Sequence, residues 1–135
     1  MTIMKTVIVS GGTFGLGQSI TVELALRGYH VVAFGLMQPQ VSSTAQGADA
    51  LHAELARHGC SADILEADVS DAQAVARVVE QALSRHGAIH GLVNNAAIGP
   101  LGTVLDTDEA LFERILDVNL KGTYLASRAV LPHMI

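Results

Sequence analysis

Short apolar runs alternate with longer amphipathic stretches along the 135-residue chain. The segments 5–12, 29–35, 61–70 and 89–97 each contain a short run of β-branched and other apolar residues, which is typical of buried strands. Between them, apolar residues recur every three or four positions, as in helices that bury one face. The pattern therefore predicts the order β, α, β, α, β, α, β, α.

The first two predicted helices have glycines at their carboxyl ends. One spans 16–27 and ends at Gly28, and the next runs to His58 before Gly59. Glycine after the last helical turn adopts a left-handed conformation at little cost. A loop is expected at 36–43, with Ser43 or Thr44 as the cap of the second helix.

The third and fourth predicted helices begin at capping-box patterns. Ser70 and Gln73 have that spacing, and so do Asp106 and Glu109. The third helix ends at Gly87, and the fourth is long and extends over the rest of the chain. The residues expected on the buried face of the third helix are Val75, Val78, Val79 and Ala82.

This order of elements predicts a fold class. Strands that alternate with helices form a parallel sheet through right-handed crossovers, so we expect an α/β, Rossmann-like, doubly wound sheet. A chain of 135 residues suffices for one domain, 1–135. Ligands of such sheets bind beyond the carboxyl ends of the strands.

Composition narrows the classes of partner. Eight basic against 13 acidic residues give a net charge of -5, which argues against a nucleic-acid partner. Cys60 is the only cysteine, so no internal disulfide can form. The six histidines lack metal-ligand spacing, so we expect no metal. No apolar run approaches the roughly 20 residues of a membrane helix, and we expect a cytoplasmic protein that does not bind membranes.

The sequence SGGTFGLG follows the first predicted strand, and three of its four glycines have the spacing of a phosphate-binding loop. Gly11, Gly15 and Gly17 lie between that strand and the next helix, where free backbone N–H groups and the helix dipole attract a phosphate. Side chains at these positions would obstruct the approach of a ligand. A tight turn with no ligand is the alternative interpretation, but the strand and helix on either side favour a phosphate site.

The loop resembles the TGxxxGxG loop of the short-chain dehydrogenase/reductase family, and three further segments resemble family motifs in the same order. ADVSD resembles the acidic motif that contacts adenine, NNAA resembles NNAG, and VNLKG resembles the segment with a catalytic asparagine. The resemblance implies binding of NAD or NADP and hydride transfer between alcohols and ketones. It also implies that Asn94 ties the sheet together and that Asn119 has a catalytic role. The cofactor-binding positions that it implies are Ser10, Gly11, Thr13, Phe14, Gly15, Leu16, Gly17, Gly35, Leu36, Asp68, Val69, Asn95, Ala96 and Ala97.

Some positions depart from the family pattern. Ser10 replaces threonine, and Ala97 replaces the glycine of NNAG. Gly35 and Leu36 offer neither the acidic residue typical of NAD enzymes nor the arginine typical of NADP enzymes, and Phe14 stands where NADP-preferring relatives often have a basic residue. The choice between NAD and NADP therefore stays open.

The other catalytic residues of the family, a serine and the tyrosine and lysine of YxxxK, fall beyond Ile135. We therefore expect a fold truncated after the fourth strand and a long helix. Tyr124 and Arg128 have a four-residue spacing but align with the dimer-helix segment of the family, so they are not a displaced YxxxK. Two hypotheses follow: an oxidoreductase scaffold that lacks its proton donor, or an inactive, oligomerising dinucleotide-binding protein.

The last predicted helix is apolar on two faces, so a second copy is expected to cover one of them. We expect a homo-oligomer that forms through the helix at about 107–135, and Val118→Asp should disturb it. One predicted face comprises Leu111, Ile115, Val118 and Leu125, and the other comprises Phe112, Leu116, Ala126 and Val130.

Overall fold

A computed structural model describes residues 3–36 and 47–135 and contains a four-stranded parallel sheet in the order β3-β2-β1-β4. At the centre of the sheet, Ile8 pairs with Val32 on one side and with Leu92 on the other. The carboxyl ends of all four strands therefore meet at one edge. The strands are β1 (Thr6–Ser10), β2 (His30–Gly35), β3 (Asp63–Glu66) and β4 (Gly91–Asn94).

The helices follow the predicted alternation with the strands. They are α1 (Gly15–Leu26), α2 (Ala48–Arg57), α3 (Ala72–His86), α4 (Glu109–Leu116) and α5 (Gly122–Val130). A π-helical turn, Asp117–Lys121, joins α4 to α5 without a break, and a short 3-10 turn follows at Leu131–His133. The predicted long fourth helix is thus four consecutive helical segments: α4, the π-turn, α5 and the 3-10 turn.

Each face of the sheet carries its own apolar core, which confirms the doubly wound α/β class. Alternate strand residues point to opposite faces, so Val7 and Val9 join one core while Ile8 joins the other. The first core includes Leu51 and Leu55 of α2. The second core contains the predicted face of α3, together with residues of the π-turn and α5: Val75, Val78, Val79, Ala82, Val118, Ala126 and Val130.

The predicted helix ends are confirmed at the glycines but are wrong at two caps. Gly28, Gly59 and Gly87 have φ of 84, 68 and 79°. Asp71, not Ser70, caps α3 by accepting hydrogen bonds from the N–H groups of its first turn. Both residue types are good caps, but the Ser70 hydroxyl donates to the Asp68 carboxylate instead.

The predicted cap of α4 is also wrong, by two residues. Asp108 is the cap, while the carboxylate of Asp106 accepts hydrogen bonds from the backbone and hydroxyl of Thr103 in the preceding loop. The predicted caps Ser43 and Thr44 of α2 lie outside the described residues, and the helix begins at Ala48 after Gly47.

The predicted division of the last helix into two apolar faces is also wrong. Val118, Ala126 and Val130 are all buried, whereas Phe112 and Leu116 are exposed. The π-turn takes up one extra residue, which rotates everything after it by about 100° relative to an uninterrupted α-helix. This rotation brings Ala126 and Val130 onto the same side as Val118, away from Phe112. Val118→Asp would therefore disrupt the core before it disturbed any interface.

Candidate functional site

A cavity lies at the carboxyl edge of the sheet, where the chain leaves all four strands. The strand order reverses between β1 and β4, which is the position where open α/β sheets form a crevice. The lining residues that the sequence predicted as cofactor-binding are Gly11, Phe14, Gly15, Leu16, Gly17, Gly35, Leu36, Asp68, Val69, Asn95, Ala96 and Ala97.

The glycine loop brings the start of α1 against the end of β1. Gly11 has a φ of 63°, and a Cβ there would lie 2.8 Å from the Ala96 Cα. A Cβ on Gly17 would lie 2.7 Å from the carbonyl carbon of Gly11. Both positions therefore require glycine, one for its backbone and both for close packing. A Cβ on Gly15, by contrast, would meet nothing within 4 Å, so the loop has open space beside it.

The first turn of α1 faces this space without a capping side chain. Phe14 is the N-cap residue and makes no side-chain hydrogen bond to the helix. The N–H groups of the first turn of a helix have no partner within the helix, and they carry the positive end of its dipole. The turn that begins at Gly15 can thus accept an anion.

Polar side chains tie the end of β4 to the glycine loop. The amide nitrogen of Asn95 donates to the Gly11 carbonyl at 3.0 Å, and the Ser10 hydroxyl accepts from the backbone N–H groups of Asn95 and Ala96, both at 3.1 Å. The side chain of Asn94, which is predicted to tie the sheet together, donates to the Ser127 hydroxyl of α5 at 3.2 Å and does not hydrogen-bond to the glycine loop. The structure thus gives the linking role to Asn95 and Ser10.

Asp68, at the exit of β3, is the centre of a polar network. Its Oδ1 accepts from the Ser70 N–H at 2.9 Å and from the Ser70 hydroxyl at 2.6 Å, and its Oδ2 accepts from Arg114 Nη2 at 2.8 Å. Burial opposes ionisation, but the hydrogen bonds from Ser70 and Arg114 outweigh it and lower the pKa of the Asp68 carboxyl. The carboxylate is therefore a negatively charged acceptor at the cavity wall.

Asn119 lies in the π-turn and holds the loop that follows β4. Its Oδ1 accepts from the Ile98 N–H and its Nδ2 donates to the Ile98 carbonyl, both at 2.8 Å. This two-point bond to the backbone fixes a residue that lines the cavity. Tyr124, which is 54% exposed, accepts a hydrogen bond from Arg128 and does not line the cavity.

Two predicted cofactor-binding residues do not reach the cavity surface. Ser10 and Thr13 are each 1% exposed. Ser10 braces the loop as described above. The Thr13 hydroxyl has no hydrogen-bond partner among the described residues and lies beneath Gly35, where a Cβ would come within 3.1 Å of it. Both side chains are therefore buried under the glycine loop and do not face a ligand in the cavity.

The sequence did not identify several other lining residues: Phe34, Ala67, Ile98, Arg114 and Val118. Four of these are apolar and carry no chemical signal. Arg114 does carry one, because it lies three residues after Leu111 and four before Val118, at helical spacing with apolar residues. A charged residue on such a face needs a partner.

Two further properties of the described residues concern metals and membranes. Within residues 3–36 and 47–135, no three side chains of histidine, cysteine, aspartate or glutamate come together as a metal-binding group. No helix in these ranges has both the length and the apolar character needed to span a bilayer.

The chain belongs to the short-chain dehydrogenase family. A sequence model of that family, described as short chain dehydrogenase, matches residues 5–135. The match covers every structural element described above. It confirms the family that the glycine loop and the three later motifs indicated.

Individual proteins with related sequences support this membership. Dehydrogenase/reductase SDR family member 4 from Sus scrofa is 35% identical over 131 residues, which are 96% of this chain and 44% of that protein. A sepiapterin reductase from Chlorobaculum tepidum is 32% identical over 123 residues, or 91% of this chain and 50% of that protein. The chain thus spans about half the length of these curated relatives.

Solved structures show the same fold. A short-chain dehydrogenase/reductase variant from Serratia marcescens superposes with a TM-score of 0.82 at 30% identity, covering 98% of this chain and 52% of that one. A putative short-chain dehydrogenase/reductase from Burkholderia xenovorans gives a TM-score of 0.85 at 29% identity, covering 98% and 50%. The four-stranded sheet and its helices are therefore the family's Rossmann-like arrangement.

Proposed function

We propose that this chain binds a nicotinamide dinucleotide at the carboxyl edge of its sheet, as the scaffold of an oxidoreductase that transfers hydride between alcohols and ketones. Family membership indicates this class of cofactor. The observation that carries the proposal is the glycine loop, where an uncapped helix start meets open space beside Gly15. Backbone N–H groups at such a position suit a pyrophosphate.

The other lining residues fit the remaining parts of a dinucleotide. Asp68 and Val69 provide an acceptor and an apolar surface for adenine, while Gly35 and Leu36 flank the position of the adenosine ribose. Asn95, Ala96 and Ala97 follow β4 and line the cavity just before Ile98, whose backbone Asn119 binds. The nicotinamide, when bound, supplies the hydride, and these residues would orient it.

The preference between NAD and NADP stays an open part of the proposal. Among the described residues that line the cavity, the charged ones are Asp68 and Arg114, and they are paired with each other. Phe14 and Leu36 are about half exposed, at 52% and 48%. Neither side chain has a charge that could bind a 2′-phosphate or an acceptor for a ribose hydroxyl.

Turnover is a separate step of the proposal. Asn119, the one family catalytic position in the sequence, hydrogen-bonds to the Ile98 backbone, and its amide is too weakly acidic to serve as a general acid. Loss of a proton donor typically slows such a reaction about 10²- to 10⁴-fold. We therefore expect the isolated chain to bind the cofactor without measurable turnover.

The location of the protein is a separate matter, and a cytoplasmic location remains a prediction of the sequence.

Calorimetric titration with NADH and NADPH tests the binding step. Wild-type chain should bind at least one of them saturably. Leu16→Asp places a negative charge in the first turn of α1, where it suits the helix dipole but repels a pyrophosphate. This variant should remain folded and lose binding, whereas the control Leu26→Asp, at the far end of α1, should bind normally. Absence of binding by wild type to both cofactors would refute the proposal.

We also propose that the chain self-associates through the exposed side of α4, the π-turn and α5. Four apolar or aromatic residues there follow a four-residue spacing and are 41–67% exposed: Phe112, Leu116, Leu120 and Tyr124. A contiguous apolar surface of this kind is typical of an interface. A second copy is the proposed occupant, because the same helical surface on both copies is self-complementary in a twofold dimer.

Leu120→Asp tests this association, because Leu120 is 67% exposed and its replacement leaves the core intact. Sedimentation equilibrium should show that wild type forms oligomers at micromolar concentration and that the variant is monomeric. Leu26→Asp provides the control, since it introduces the same charge on an exposed leucine of α1. A monomeric wild type, or equal oligomerisation of Leu120→Asp, would contradict the proposal.

A further inference from the structure

Arg114 connects two segments that are distant in the sequence. It projects from α4 to the exit of β3, where Nη2 donates to Asp68 Oδ2 at 2.8 Å and Nη1 donates to the Ser70 hydroxyl at 2.7 Å. The Arg114 side chain is 40% exposed and lines the cavity beside Asp68. The guanidinium thus binds both the Asp68 carboxylate and the Ser70 hydroxyl, and its planar array of N–H donors suits two such bonds.

Among residues 3–36 and 47–135, the network around Asp68 leaves one acceptor position open. A carboxylate offers about four lone pairs, two on each oxygen. The N–H and hydroxyl of Ser70 occupy both positions on Oδ1, and Arg114 occupies one on Oδ2. The remaining lone pair therefore belongs to Oδ2, the oxygen that Arg114 holds.

Arg114 also fixes the direction of the network. Because the Ser70 hydroxyl donates its one proton to Asp68, it can only accept from Arg114. Arginine has no acceptor and stays charged, so this order cannot reverse. The carboxylate is held ionised in one orientation, consistent with the lowered pKa of Asp68.

We propose that Arg114 is a positioning residue that reserves the last acceptor on Asp68 Oδ2 for the exocyclic amino group of adenine, and so makes the site selective for a 6-aminopurine. This inference rests on the proposed dinucleotide function. A 6-oxopurine presents a carbonyl at the same place, where two acceptors would face each other without a proton. Without Arg114, Asp68 can rotate and the discrimination is lost.

The test compares NADH with reduced nicotinamide hypoxanthine dinucleotide, which differs in that one group. By calorimetry, wild type should bind NADH about tenfold more tightly or better, as expected for a hydrogen bond to a charged acceptor. Arg114→Met should reduce this preference to less than about threefold. Arg114→Lys, which keeps one charge-assisted bond, should retain an intermediate preference.

Arg85→Met is the matched control. Arg85 donates to Asp63 at 2.6 Å, so it forms the same kind of ion pair, but at the opposite end of β3. The preference for NADH should be unchanged in this variant. Circular dichroism before titration establishes folding, and Arg114→Lys keeps the test decisive if Arg114→Met does not fold.

The outcomes separate this inference from the proposed function. If wild type binds neither dinucleotide, both fail. If wild type binds the two equally well, the dinucleotide function stands but selectivity for the 6-amino group is wrong. If Arg114→Met weakens both ligands equally and keeps the preference, Arg114 has only a structural role and the inference is overturned.

Discussion

An arginine holds an aspartate at each end of β3. At the amino end, Asp63 accepts from Arg85 at 2.6 Å and from His86 at 2.7 Å, while His86 stacks on His30 with ring centroids 4.4 Å apart. Beyond the carboxyl end, Asp68 accepts from Arg114 and twice from Ser70. The two aspartates are similarly exposed, at 22% and 29% of their side chains.

The surroundings of the two pairs differ. Asp68 and Arg114 line the cavity that the glycine loop borders, whereas Asp63, Arg85 and His86 join the start of β3 to the end of α3 and line no such cavity among the described residues. Under the proposed function, the two similar ion pairs therefore serve different purposes. An ion pair beside open space can present its spare acceptor to a ligand, and one between two packed elements can only join them.

The largest expected difference between the carboxyl and amino ends of the sheet comes from replacing one glycine at each end. A Cβ on Gly17 would lie 2.5 Å from Asn95 Nδ2 and 2.7 Å from the Gly11 carbonyl carbon, so Gly17→Ala forces the loop away from β4. We expect a loss of about 3 kcal/mol in the free energy of unfolding. At the amino end, Gly87 has a φ of 79° and open space around it, so Gly87→Ala should cost only about 1 kcal/mol.

Urea denaturation of both variants checks this order. Gly87→Ala is the control for the loss of glycine's backbone freedom, because no atom would obstruct its new methyl group. Equal losses in the two variants would mean that the glycine loop is not closely packed, contrary to the geometry on which the proposed dinucleotide site depends.

The sequence predicted the fold well because the fold depends on features that the sequence states directly. Buried strands require apolar runs, and Gly28, Gly59 and Gly87 end helices because a left-handed residue is needed there. Exact caps were less predictable. Ser70 and Asp71 are adjacent good caps, and only the local backbone decides which one of them points at the first turn of α3.

Two features of the site could not be predicted by these rules. The π-turn adds a single residue to one turn, and no residue type marks it, so the predicted faces of the last helix were wrong beyond Lys121. The link between β4 and the glycine loop depends on which of two adjacent asparagines faces the loop. Arg114 did have a signal, since a charge among Leu111, Ile115 and Val118 needs a partner, but the sequence does not identify that partner.

A smaller effect is expected from removing each aspartate's charge. Asp68→Asn and Asp63→Asn should each lose about 1 kcal/mol in the free energy of unfolding, since both remove a partly exposed charge-assisted pair. Only Asp68→Asn should weaken NADH binding, by about tenfold, or about 1.4 kcal/mol. Calorimetry and urea denaturation on the same preparations separate the two effects. A matching loss of NADH affinity in Asp63→Asn would remove the distinction between the two ends.

The smallest expected effect is the pH dependence that the two aspartates share. Burial opposes ionisation of Asp63, but hydrogen bonds from His86 and Arg85 outweigh it and lower the pKa of the carboxyl below its ordinary value of 3.8. The pKa of Asp68 is lowered in the same way by Ser70 and Arg114. A carboxylate with a lowered pKa in the folded state stabilises the protein above its unfolded-state pKa, and this contribution disappears as the pH falls through the folded-state pKa.

The free energy of unfolding should therefore be higher for wild type than for Asp63→Asn at pH 6, and the difference should shrink as the pH falls below 3.8. Asp68→Asn should behave in the same way, because the ionised carboxyl is the form that each network stabilises. Urea denaturation at several pH values measures both differences. A gap that stays constant into acid would mean that the hydrogen bonds stabilise the protonated and ionised carboxyls equally. The two ends of the sheet would then differ in their packing and cavity but not in how strongly they hold a negative charge.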